Sequence, residues 1–177
     1  MGTRNILSKV YLISWYGPFL SVEEMEDWQL RNDDVECRLY LMQGKKPYAK
    51  CYSYYCGQTI RAVFQRFKDG SHHIHEIPNR RSLWAGAFEN RYNRNDINIA
   101  ENMFIDLLSK GIKDQQCLNR QSLCFAPQER NMFFISKWHN PKRYHQPECS
   151  LRFLLPEVVA YFTGTDEIKV AKKLRTL

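Results

Sequence analysis

The chain has 177 residues, 44% of them hydrophobic and 14% aromatic, and carries 26 basic against 19 acidic side chains for a net charge of +7. That composition supports one packed domain and excludes a disordered chain, while the basic balance favours a polyanionic partner, of which nucleic acid is the commonest. No apolar run approaches the ~18 residues of a membrane span and no secretory leader is read, so the cysteines at 37, 51, 56, 117, 124 and 149 are expected as reduced thiols in a cytoplasmic setting.

In chain order, "KVYLIS" (9–14) predicts a strand ended by the Gly-Pro turn of "WYGPF". Ser21 and Glu24 form a capping box that opens a short acidic helix, "VEEMEDWQ". "ECRLYLMQ" (36–43) and "CYSYYCG" (51–57) read as strands joined by the turn "GKKPYAK", together a hairpin. Thr59 is placed to cap a helix over residues 60–68 that buries Val63, Phe64 and Phe67, after which "DGSHHIHEIPNRR" reads as polar loop. A third strand is expected at "SLWAGAF" (82–88). A long helix is expected at 97–111, where Ile97, Ala100, Phe104, Leu107 and Leu108 keep helical spacing and Gly111 stops it. "NMFFISKW" (131–138) is a fourth strand, and the tail segments "PEVVAYF" and "TDEIKVAKKLRTL" read as two short helices with acidic starts. The expected fold is α+β, a small mixed or antiparallel central sheet with flanking helices. It forms one domain: a strand–helix extension (1–35), a core (36–120) and carboxy-terminal strand and helices (121–177).

Several side chains on these elements suit phosphodiester chemistry. Tyr40 lies on the first hairpin strand and Tyr55 on the second, just before Gly57. Arg66 follows in the next helix, then His72, His73 and His75, with Glu101 in the first turn of the long helix and Asn119 beyond it. A phenol or imidazole can relay a proton from water. Arginine's fixed donors suit a phosphate that gains charge in the transition state, and a carboxylate can hold one divalent metal. A glycine within a strand marks a bend or the close approach of another molecule, read here as room for a DNA backbone at Gly57.

The ordered set "RLYLMQG…CYSYYCGQTIRAVFQRF…HH…AENMFI…LN" resembles the GIY-YIG nuclease superfamily and covers residues 36–120. The resemblance implies a hairpin built from a tyrosine strand and a Tyr-x-Gly strand. A helix with an essential arginine follows, then a helix with a metal-binding glutamate, then an asparagine. On these motifs Tyr40 and Tyr55 would position and deprotonate water, with His72 and His73 as candidates for the base. Arg66 would stabilise the transition state, Glu101 would bind Mg²⁺ or Mn²⁺, and Asn119 would order the site. Gly57, Arg61, Lys50 and Asn119 would meet the substrate.

The sequence departs from the family pattern at several points. The first motif is Arg-Leu-Tyr, the second carries Cys56 for isoleucine, and the hairpin turn is long, with Lys45, Lys46 and Lys50 on it. The histidine usual one helical turn after the arginine has no counterpart at Gly70. Tyr11 of "KVYLI" is a rival for the first tyrosine.

What the resemblance implies is a metal-dependent DNA endonuclease, a small stand-alone enzyme of restriction, phage or defence type, acting as a homodimer by fold-level analogy. The alternatives are a nucleic-acid-binding module without turnover, or an RNase. "HNPKRYH" (139–145) and "KVAKKLR" (169–175) are read either as DNA-contacting or as ordinary solvated segments. Cys117, Cys124, His139, His145 and Cys149 fit the spacing of no common structural zinc site.

Overall fold

The computed structural model describes residues 8–111, 117–121, 124–140 and 155–171. Seven strands form one mixed sheet: β1 (Ser8–Phe19), β2 (Cys37–Lys45), β3 (Ser53–Gln58), β4 (Asn79–Phe88), β5 (Asn131–His139), β6 (Val158–Phe162) and β7 (Glu167–Ala171). Their spatial order is β3-β2-β4-β1-β5-β6-β7, and every neighbouring pair is antiparallel except β1 with β5. The sheet curls into a half-barrel and carries three α-helices: α1 (Val22–Arg31), α2 (Val63–Phe67) and α3 (Arg94–Gly111). The α+β expectation therefore holds. The segment read as an amino-terminal extension supplies β1, the middle strand.

Both faces of the hairpin half are covered, which is why "RLYLM" reads as a continuous apolar run rather than an alternation. Leu39, Leu41, Cys56 and Trp84 pack under α3 with Ala100, Met103, Phe104 and Leu108. Tyr40, Met42, Leu83 and Ala85 point the other way, onto Met25 of α1 and Val63 and Phe67 of α2.

β1 departs from the expected stop at Gly17-Pro18: the strand continues to Phe19, and its pairing with β4 shifts register between Tyr16 and Phe19. Because side chains alternate with period two, that bulge flips the following residue to the opposite face. Ile13 and Trp15 lie under α3, whereas Phe19, equally odd in number, joins the α1 side. Gly17 is required there, since a Cβ on it would sit 2.6 Å from the Leu83 carbonyl oxygen and 2.8 Å from the Trp84 ring.

Ser21 caps α1 as expected, its Oγ accepting from the Glu24 amide at 3.2 Å, while Glu24 Oε2 reaches one residue past the cap and accepts from the Leu20 amide at 2.9 Å. α2 is shorter than expected and is not capped by Thr59. The Thr59 hydroxyl is taken up in a local turn with the Arg61 amide at 3.0 Å, and the helix starts only after an extended Ala62. The "polar loop" holds a 3-10 turn, His73–Glu76, because Ile74 and Ile77 are both buried in the α1–α2 core.

At the start of α3, Asn93 and Asp96 cap each other's backbone amides at 3.0 and 2.8 Å. The two tail segments read as helices are strands, as far as they are described. Val158, Val159, Tyr161 and Phe162 are β-branched or aromatic, and such residues fit a pleated surface better than a short unsupported helix. Pairing with β5 and with β7 across the turn at 163–166 decides the outcome.

Among the described residues no helix is long and apolar enough to cross a membrane. Cys37, Cys51, Cys56, Cys117 and Cys124 are free thiols, while Cys149, His145 and the rest of "PKRYHQPECS" lie outside the described residues, as does the "KKLR" of the tail.

Candidate active site

The hairpin register sets the site. Tyr40 pairs with Gly57 and Met42 with Tyr55, so the two tyrosines are diagonal neighbours on one face of β2–β3. Their rings stack with centroids 6.0 Å apart. A Cβ on Gly57 would lie 2.3 Å from Cζ and Oη of Tyr40. The glycine therefore makes room for the Tyr40 ring, and this corrects the expectation that its open face admits a DNA backbone. Phe67 of α2 closes the other side of the ring, edge-on at 5.0 Å.

His72 is 3% exposed and caps the 3-10 turn, with Nδ1 accepting from the Ile74 amide at 3.1 Å. An amide can only donate, so Nδ1 carries no proton and the neutral ring holds its hydrogen on Nε2. Nε2–H then donates to Tyr40 Oη at 3.0 Å. Burial first, then the charges of Arg66, His73 and His75, hold the His72 pKa down to about 4, so the ring stays neutral at physiological pH.

Tyr40 is pushed well above the usual phenol range by burial and by Tyr55, with Arg66 opposing. Tyr55, less buried, is also raised, by burial and the charge of Glu101, while the hydrogen bond from Tyr40 and the charge of Arg66 hold it down. His72 is thus a fixed donor to Tyr40, whose ring stacks on that of Tyr55.

His73 has the opposite tautomer. Its Nδ1 meets Glu76 Oε1 at 2.5 Å, and since a carboxylate accepts, the neutral form of the ring carries its lone pair on Nε2. The ring is 4.9 Å from that of Tyr55. Of the two histidines, His73 has the geometry of a base and His72 that of a fixed donor.

Arg66 and Arg61 both bond one carboxylate oxygen, Asp69 Oδ2, at 2.7 and 2.6 Å. Glu101 comes from α3, on the opposite face of the hairpin, and meets the end of β3. Gln58, the last residue of β3, donates to Glu101 Oε2 and Asn98 Oδ1, both at 2.7 Å. Burial raises the Glu101 pKa against these bonds.

Asn119 clamps the outer edge of β3: Oδ1 accepts from the Cys56 amide at 2.9 Å and Nδ2 donates to the Cys56 carbonyl at 2.7 Å. With Leu118 N–H on the Tyr54 carbonyl at 2.7 Å, the segment fixes the strand that carries Tyr55.

Tyr40, Tyr55, Arg66, His72 and His73 are thus joined by contact or charge on the α2 face of the hairpin, with Arg61 attached through Asp69, while Glu101 lies on the α3 face and is linked to them through its charge on Tyr55. Lys50 stands apart, on the hairpin turn at the rim of a cleft of about 340 Å³. Tyr11 is remote from the site: it packs under α3 and donates to Asp96 at 3.0 Å.

Three participants escaped the sequence reading: Gln58, Asp69 and Glu76. The His73-x-x-Glu76 spacing was the one local signal available.

Glu101 suits Mg²⁺ or Mn²⁺ in one respect: such ions accept a single protein carboxylate and take their other oxygens from water and substrate phosphate. Among the described residues no group of three or more His, Cys, Asp or Glu is arranged to hold a metal by itself, as a structural zinc would need. Comparison with protein-family models, curated proteins and solved structures finds no match to this chain.

Proposed function

We propose that the chain is a metal-dependent endonuclease of GIY-YIG type that hydrolyses phosphodiester bonds in DNA. The observation that carries this reading is the clustering of two phenols, a guanidinium and an oriented imidazole on one face of the hairpin, with a half-buried carboxylate on the other face whose charge is felt by Tyr55. In this reading His73, aligned by Glu76, accepts the proton of the attacking water beside Tyr55. Tyr55 stacks against Tyr40, whose ring is wedged between Gly57, Phe67 and His72, so the phenol nearest the water is held in one orientation. Arg66 exchanges Asp69 for the non-bridging oxygens of the phosphate, and its planar donors strengthen as the phosphorus gains charge. A divalent ion held by Glu101 would supply positive charge at the leaving oxygen. The net charge of +7 suits a polyanionic substrate.

The test is a plasmid-nicking assay in Mg²⁺ and Mn²⁺ with the wild type and Glu101→Gln. The variant keeps the acceptor for Gln58 but loses the anionic ligand, so cleavage should vanish while DNA binding persists. Its thermal stability should rise at neutral pH, because ionising a buried acid of raised pKa disfavours the folded state once the pH exceeds the unfolded pKa of about 4.3. That gain should disappear in more acidic buffer. Undiminished cleavage by Glu101→Gln removes Glu101 from the mechanism. Wild-type binding without cleavage in either metal favours the non-catalytic binding module, and cleavage of RNA alone favours an RNase.

A further inference from the structure

The hairpin turn beyond the site has an unusual tip. The Ala49 amide bonds the Lys46 carbonyl at 3.1 Å, which places Pro47 and Tyr48 at the two central positions of a turn. Tyr48 has φ 61°, at a position that ordinarily takes glycine or asparagine. Its side chain is 105% exposed, the most exposed large hydrophobic among the described residues. The turn is braced beneath it, with Lys45 Nζ on the Lys50 carbonyl at 2.6 Å and over the Tyr52 ring at 4.8 Å.

Basic groups connect this tip to the site. Lys46 and Lys50 rim the adjoining cleft of about 340 Å³. Lys46 lies 3.7 Å from Glu76, which also feels the charge of Arg120. Glu76 is the carboxylate that orients His73 beside Tyr55.

We infer that the turn at residues 46–50 is a second nucleic-acid contact, in which Tyr48 stacks on an unpaired base while Lys46 and Lys50 meet the flanking phosphates, so that the preferred substrate has a single-stranded segment beside the cut. A fully exposed aromatic on a braced turn offers a rigid π-face to a base. The lysines supply the charge complement to the backbone, which is the pairing that single-strand binders use. Paired bases in a duplex keep their faces stacked on one another, so the ring has nothing to engage there. The inference rests on the nucleic-acid reading above, although it needs no turnover.

The experiment is fluorescence anisotropy in metal-chelating buffer, with a labelled mixed-sequence oligodeoxynucleotide and with its duplex. Tyr48→Gly removes the ring and suits the left-handed backbone, so the variant should fold and be at least as heat-stable as wild type. It should lose about tenfold or more in affinity for the single strand, the scale of one base–aromatic stack, and change little on the duplex. Tyr48→Phe should bind as wild type does. Lys46→Ala with Lys50→Ala should lower the salt slope for the single strand by about 0.7 per phosphate released. Tyr48→Gly binding the single strand within twofold of wild type overturns the inference, as does a wild type that binds only duplex or neither form. Cleavage with normal single-strand binding by Tyr48→Gly defeats this inference and leaves the nuclease reading standing; Tyr48-dependent binding without cleavage does the reverse.

Discussion

Gly57→Ala adds one methyl group, and the structure sets its cost. The new Cβ would sit 2.3 Å from Cζ and Oη of Tyr40, whereas carbon atoms pack best at about 3.5–4.0 Å. The ring would have to retreat by roughly 1.2–1.7 Å. It cannot do so freely, because Phe67 stands edge-on at 5.0 Å and His72 holds the hydroxyl at 3.0 Å. Overpacking of this kind costs about 1–3 kcal/mol, and losing a buried hydrogen bond adds about 1 kcal/mol. The sum is roughly 2–4 kcal/mol, or a drop of roughly 4–16 °C in melting temperature for a domain of this size.

Urea and thermal unfolding of Gly57→Ala, Tyr40→Ala and the double variant make a cycle that isolates the clash. With the ring already gone, the added methyl should cost less than about 1 kcal/mol. Equal costs of Gly57→Ala in the two backgrounds would refute the reasoning, because the methyl would then be felt by something other than Tyr40.

Arg66→Lys replaces a planar fork with a point charge and should lower the cleavage rate by about 10²–10³, read by single-turnover kinetics; a loss below about tenfold makes Arg66 a structural partner of Asp69. Tyr40→Phe should lose most of kcat, since it removes the hydroxyl that His72 holds beside Tyr55. Tyr11→Phe should cut normally and lose about 1 kcal/mol of stability with its bond to Asp96; the reverse pattern would move the first tyrosine motif to β1. His72 stays neutral in the folded state down to about pH 4 while the unfolded chain protonates near 6.5, so its contribution is present above pH 6.5 and is lost as the pH falls from there toward 4. His72→Asn keeps a capping acceptor for the turn and should show a flatter melting-temperature profile across that window; an unchanged profile would mean that other groups govern it.

What the sequence disclosed were features with a local cause. Strands β2 and β3 follow from apolar runs on either side of a Gly-Lys-Lys-Pro turn, and α3 from its helical spacing. The cap at Ser21 follows from a side chain three residues from its partner. The diagonal placement of Tyr40 and Tyr55 needs only the hairpin register, and Glu101 only the phase of α3.

The misread elements owe their structure to partners distant in sequence. Residues 158–162 have an acidic entry and apolar positions compatible with a short helix, and only β5 makes them a strand. Thr59 carries a good capping side chain but spends it on the Arg61 amide. Gly57 was visible as an anomaly, but its cause, the ring of Tyr40 directly opposite on β2, emerges only from the pairing of Tyr40 with Gly57. Asp69 and Glu76 look like ordinary surface acids until the arginines and His73 are seen against them.

The parallel β1–β5 seam has a consequence for synthesis. Each β1–β5 pair, from Ser8 with Asn131 to Tyr16 with His139, joins residues 123 positions apart (131 − 8 and 139 − 16). β1 can dock on β4 once residue 88 has left the ribosome, yet its other edge then waits for β5 with Val10 and Leu12 pointing along an unpaired backbone. Such an edge is a template for any passing strand, and closing so long a loop is slow. A nascent chain stalled between residues 88 and 131 would therefore be the species most prone to wrong pairing, and a chaperone that covers the β1 edge would raise the yield of folded protein without touching its final stability.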